Sequence, residues 1–103
     1  MITLTITRKN MIKVDGKYFL KNSEKIGFMR DEHIFDHEGE KLGYYDNDHV
    51  FDKNGHKLAY LQDDKICFEG SVRTLRVEDN NKDIVGGGLS NIERAAVRVL
   101  LGE

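Results

Sequence analysis

His33 and His49 stand sixteen residues apart, each opening a near-identical stretch: "HIFDHEGEKLGYYDND" and "HVFDKNGHKLAYLQDD". Two imidazoles on adjacent elements, with Asp31, Asp48 or Asp64 close by, could share a divalent metal and turn a bound water into a nucleophile. A metal-assisted hydrolase would need those two side chains to converge. Against it, the equivalent positions in the flanking units are Lys17 and Lys65. Cations do not ligate metals, so solvated histidines at strand ends are the competing reading. Tyr44, Tyr45 and Tyr60 offer a second chemistry, a platform on which a sugar or small planar ligand could stack. The same rings could equally be core, because a small domain needs their buried area.

Other candidates reduce to ordinary structure. Asp46-Asn47-Asp48 and Asp52-Lys53-Asn54-Gly55 look like calcium loops, but the further oxygen ligands and the closing glutamate of that pattern are missing. Turns explain them. Cys67 takes a position held by phenylalanine in the other units, which reads as a packed thiol. Gly86-Gly87-Gly88 precedes a helix start without the lysine and hydroxyl ending of a phosphate loop, and reads as a hinge between sheet and helix. No cofactor is called for and no catalytic constellation emerges, so the expectation is a protein that is not an enzyme.

The element carrying these residues is a sixteen-residue repeat present about four times. Its columns are Tyr18, Ile34, Val50 and Ile66; Phe19, Phe35, Phe51 and Cys67; a small column Ser23, Gly39, Gly55 and Ser71; a basic column Lys25, Lys41, Lys57 and Arg73; then Gly27, Gly43, Ala59 and Leu75. Sixteen residues hold two short strands and two turns, so each unit is a β-hairpin. Asp36 and Asp52 are placed to accept from backbone N–H groups two residues on, and Gly39 and Gly55 to close the turn in a left-handed conformation. An even period keeps each column on one face. Neighbouring columns are both apolar, so both faces of the hairpins are expected to be covered.

The flanks differ. "ITLTIT" at 2–7 alternates like a half-buried strand, and Asp15-Gly16 is a tight turn. At the other end, Ser90 and Glu93 form a capping-box pattern, and the helix is expected over 90–101. Its face of Ile92, Ala95, Ala96, Val99 and Leu100 is widened by Val97 and Leu101, with Arg94 and Arg98 opposite. That width predicts docking on the hairpins and a homo-oligomer contact through Ile92, Val97 and Leu101.

The repeated "IFDHEGEKLGYY" and "VFDKNGHKLAYL" resemble the hairpin unit of four-fold β-flower proteins, small bacterial domains, over roughly residues 18–79. The resemblance implies four hairpins set as petals about a pseudo-four-fold axis, and implies no catalytic residues.

Composition bounds the rest. The chain has 103 residues, 16 lysines and arginines against 18 acidic residues, and one cysteine. That allows one domain, residues 1–103, and no intrachain disulfide. No basic run suggests a phosphate backbone, so no nucleic acid is expected. No apolar run nears the ~20 residues of a membrane span, and the start does not read as a signal peptide, which leaves a cytoplasmic protein as the expectation. The reading is mainly β: N-terminal strands over 2–17, hairpins over 18–80, a glycine hinge at 86–88, and one C-terminal amphipathic helix. The expected role is a non-enzymatic structural or protein-interaction module. Its alternative is a small-ligand or glycan-binding module that uses the tyrosines.

Overall fold

The structure, a computed structural model, describes residues 11–102, so the strand expected at 2–7 lies outside the described residues. Ten strands form one sheet. β1 (Ile12–Asp15) precedes four hairpins in which every step is antiparallel: β2 (Tyr18–Lys21) with β3 (Glu24–Arg30), β4 (His33–Asp36) with β5 (Lys41–Tyr45), β6 (His49–Asp52) with β7 (Lys57–Gln62), and β8 (Lys65–Phe68) with β9 (Thr74–Arg76). A short helix, α1 (Val77–Asp83), leads to β10 (Ile84–Val85), which pairs in parallel with β1. The chain ends in α2 (Asn91–Leu101). Residues 77–80, expected in the fourth hairpin, therefore start a helix.

The turns follow the expected chemistry. Asp36 Oδ1 accepts from the Glu38 and Glu40 amides, both at 2.9 Å, and Asp52 Oδ1 accepts from those of Asn54 (2.8 Å) and His56 (2.9 Å). Gly39 and Gly55 have φ of +88° and +89°, and Ser23 in the same column has +70°. Asn22-Ser23 and Asp31-Glu32 both carry positive φ at both residues, as two-residue hairpin turns require.

The connection from β9 to β10 fixes the curvature. Laid flat, ten strands would separate those two edges by roughly 43 Å. They are joined by α1, whose seven residues rise only about 10 Å. The sheet must therefore curl. It wraps around α2, which packs against β4, β5, β6, β7 and β10. The two edges are not hydrogen-bonded to each other; α1 packs against β9, β10 and α2 and bridges the gap. Closure of the ring is thus by a helix and not by strand pairing.

The concave face holds the core. Phe19, Ile34, Val50, Ala59 and Ile66 are buried there against Ala95, Ala96 and Val97 of α2. The helix comes this close because the sheet offers Gly27 and Gly43: a Cβ at Gly43 would stand 2.2 Å from the Phe51 carbonyl oxygen and 2.9 Å from a Leu100 methyl. The α2 start is capped as expected, with the Glu93 amide donating to Ser90 Oγ (3.3 Å) and the Ser90 amide to Glu93 Oε1 (2.7 Å).

Arg94 and Arg98 do not form a solvent side. Arg98 is buried and donates to Asp83 Oδ2 at 3.0 Å, joining the two helices. Arg94 donates to the carbonyls of Ile84, Leu89 (3.2 Å) and Gly86 (3.4 Å). The glycine run it holds is pressed on β1, where a Cβ on Gly87 would lie 2.3 Å from Val14 Cγ1. Residues 86–88 form a tethered crossing, not a free hinge. No helix among the described residues is long and apolar enough to cross a membrane.

Candidate functional site

Strand register sorts the residues expected to do chemistry. Tyr45 pairs with Val50 on the concave face and is buried. Its hydroxyl donates to Glu93 Oε2 at 3.0 Å, tying the capping box of α2 to the sheet. Burial, together with the bond to the Glu93 carboxylate, pushes the Tyr45 phenol well above its ordinary range. Burial works against ionisation of Glu93, but the Ser90 amide and the Tyr45 hydroxyl outweigh it and hold that carboxyl below its ordinary value. Tyr44 and Tyr60 lie on the other, convex face. The three tyrosines therefore do not form one platform, and Tyr45 is a structural residue.

His33 and His49 both lie on the convex face, on strands separated by β5. The His33 ring tilts against Tyr44 at 5.6 Å, and His49 sits against Phe51 and Tyr60, both at 6.0 Å. His49 also has the Asp46 carboxylate 3.7 Å from its Nδ1, while His33 stands on the other side of β5. Among the described residues no group of three His, Cys, Asp or Glu side chains could hold a metal ion. The structure does not bring the two imidazoles into such a group.

The oligomer contact is also revised. Val97, expected at the outer edge of the helix, is 0% exposed inside the protomer. Ile92 and Leu101 are half-buried and pack against the same core. The helix face is wide because it meets a curled sheet on several sides.

What remains open is the convex face. None of its strand positions among the described residues is buried. Phe28 stacks on Phe35 at 4.9 Å and 10°, and Tyr44 on Phe51 at 4.8 Å and 15°. Rings at such cross-strand spacing stand upright, cover one another's faces and present their edges outward. Both faces were expected to be covered; here helices cover one, and the rings of the other shield each other. Cations lie on the rings: Lys25 Nζ is 4.1 Å from the Tyr18 centroid, Lys41 Nζ 5.3 Å from that of Tyr44, and the Arg30 guanidinium 5.7 Å from that of Phe35. Searching for basic runs misses this patch. Its signal is the basic column of the repeat, which puts Lys25, Lys41 and Lys57 on one face.

A family model described as a 4-fold beta flower protein matches residues 10–77. No curated protein and no solved structure matches the chain.

Proposed function

The chain belongs to the 4-fold beta flower family, and from that architecture we propose that it is a non-enzymatic interaction module whose working surface is the convex face of the sheet. The observation that carries this is the one-sided use of the helices. α2 spends its apolar side on the concave face and α1 packs at the β9 and β10 edges of the sheet, while Phe35, Tyr44, Phe51 and Tyr60 stay half-exposed on the other face. Half-exposed aromatic side chains beside cations are the residue types enriched at protein contacts. Glycan stacking, the alternative, needs free ring faces. Those of Tyr44 are met by Phe51 on one side, with Lys41 and His33 close by.

The test is site-specific photocrosslinking in the cells that make the protein. A benzophenone side chain at Tyr60 should give discrete protein adducts, and one at exposed Glu78 on α1 should not. Absence of adducts from Tyr60, Tyr44 and Phe51 alike would overturn the reading. A saccharide that shifts the NMR signals of Tyr44 and Tyr60 would replace it with the glycan reading.

A further inference from the structure

The β4–β5 and β6–β7 turns are near copies. Asp36 Oδ1 accepts from the Glu38 amide and Asp52 Oδ1 from the Asn54 amide. The Gly39 and Gly55 amides donate to the Asp36 and Asp52 carbonyls, both at 3.0 Å. The turns differ at the residue before the glycine, where one carries the carboxylate of Glu38 and the other the carboxamide of Asn54. A carboxamide followed by glycine is labile in water. The next backbone nitrogen can close a five-membered ring on the side-chain carbonyl carbon, and glycine has no Cβ in the way.

We infer that Asn54 is a self-modification site, at which the chain turns a neutral residue into an aspartyl or isoaspartyl one. The Gly55 nitrogen loses its proton to solvent base and attacks Asn54 Cγ. The N–Cγ bond forms, the Cγ–Nδ2 bond breaks, and the amide nitrogen leaves as ammonia. Water then opens the succinimide at one carbonyl to give aspartate, or at the other to give isoaspartate, in which the main chain runs through Cγ. Nothing is oxidised or reduced.

The structure singles out this asparagine. Asn54 and Gly55 are both exposed at a hairpin tip, and the Asn54 side chain makes no hydrogen bond to another described residue. One contact restrains the nucleophile, the Gly55 bond to the Asp52 carbonyl, and local opening is easiest at such exposed tips. Asn80 and Asn81 lie within α1, and Asn91 precedes β-branched Ile92 at the start of α2. Asn22 precedes Ser23 and Asn47 precedes Asp48, each with a Cβ. The Asp48 amide is also held by Asp46 Oδ1 at 3.0 Å.

The consequence falls on the convex face. A Cβ on Gly55 would stand 3.4 Å from the Tyr44 hydroxyl oxygen, so this turn abuts the ring that stacks on Phe51. Aspartate repeats the carboxylate that Glu38 already places in the sister turn. Isoaspartate adds a main-chain atom between the Asn54 and His56 amides that Asp52 holds, and shifts the turn against Tyr44.

The full chain, kept in mildly alkaline buffer at physiological temperature and sampled over weeks, tests this. Peptide mapping with electron-transfer fragmentation locates each amide-to-acid mass gain and tells isoaspartate from aspartate. Conversion at Asn54 should lead every other described asparagine by about tenfold or more, equivalent to about 1.4 kcal/mol. It should accelerate with pH, because the attacking nitrogen must be deprotonated. Isoaspartyl methyltransferase should label the aged parent far more than aged Asn54→Gln, whose longer side chain would have to close a six-membered ring; thermal melts check that this variant folds. Conversion led by another described asparagine, a pH-independent rate, or an Asn54 that stays intact in the folded chain while the same sequence deamidates as a free peptide would each overturn the proposal. Tyr44 ring signals that do not move in the NMR spectrum of the isolated isoaspartyl fraction would refute its effect on the convex face.

Discussion

Gly43→Ala tests the idea that α2 reaches the sheet through a groove of missing side chains. The methyl would lie 2.2 Å from the Phe51 carbonyl oxygen and 2.9 and 3.1 Å from the two Leu100 methyls. Leu100 can rotate, but Phe51 belongs to the paired strand β6, so β5 and β6 must separate by most of an ångström whether or not α2 gives way. Overpacking of that kind costs about 1–3 kcal/mol. Removing a glycine from the unfolded chain returns about 0.4–1 kcal/mol, leaving a net loss of about 1–2 kcal/mol. In a domain of this size that lowers Tm by roughly 5–15 °C. Thermal melts followed by far-UV circular dichroism read it directly. Gly27→Ala, 2.4 Å from the Phe35 oxygen, should behave alike. Ala59→Gly, at the same column, should lose no more than about 1 kcal/mol, because buried Ala59 already carries the methyl. A Gly43→Ala chain that melts at or above the parent temperature would refute the tight packing at Gly43.

Three further outcomes follow from single contacts. Tyr45→Phe removes the donor to Glu93 and should cost about 1 kcal/mol in urea unfolding at neutral pH. The folded Glu93 carboxyl titrates below its unfolded value, so the stability it contributes is complete above roughly pH 5 and disappears as pH falls through the folded value; the difference between the parent and Glu93→Gln should close in acid, and a gap that persists there would count against that bond network. Asp83→Asn leaves the buried Arg98 guanidinium with a weaker acceptor and should destabilise by about 1–3 kcal/mol, more than Arg98→Met, which keeps the packed stem; the reverse order in denaturant melts would contradict a bridge between the helices. In the left-handed turn column, Gly55→Ala should lose about 1 kcal/mol and Ser23→Gly should gain about 0.5–1 kcal/mol, since Ser23 holds φ +70° with a Cβ. Opposite signs in the two melts check it.

Much of this architecture was legible from the repeat. The hairpins, the aspartate-and-glycine turns and the capped C-terminal helix follow from columns sixteen residues apart and from Ser90 with Glu93. The faces were not legible, for a specific reason. Each inner hairpin carries an irregularity in its ladder: Ile34 pairs with Gly43 but Phe35 with Lys41, and Val50 with Ala59 but Phe51 with Lys57. Leu42 and Leu58 are the extra residues. Lys41 and Gly43 are two apart in sequence, which in a regular strand means the same side, yet they face opposite ways. Counting by twos therefore cannot assign the lysine column to the ring face. α1 went unread because "VEDNNKD" has no side-chain cap and no apolar periodicity. Val97 lies inside because the sheet itself surrounds the helix, so the width of an apolar helix face does not by itself indicate a second partner.

The same curvature explains why the candidate surface lies where it does. On the inside of a curled sheet, side chains converge, and the positions nearest α2 are correspondingly small: Gly27, Gly43 and Ala59 against Leu101, Leu100, Ala95 and Ala96. On the outside they diverge, and there is room for one ring on each strand from β2 to β7. The inner face still takes Phe19 and Tyr45, but where it meets α2 most closely its residues are small, and most of the rings fall on the outer face. The rings then offset their own exposure by stacking in pairs, which accounts for the 4.9 and 4.8 Å contacts without any partner. Stacking does not require the lysines, however. Lys25, Lys41 and Lys57 could be replaced by neutral side chains of similar length without disturbing a single concave contact. Lys25 and Lys41 lie over the rings of Tyr18 and Tyr44, at 4.1 and 5.3 Å, so the basic column serves the outer face by covering ring surface that the stacked pairs leave open.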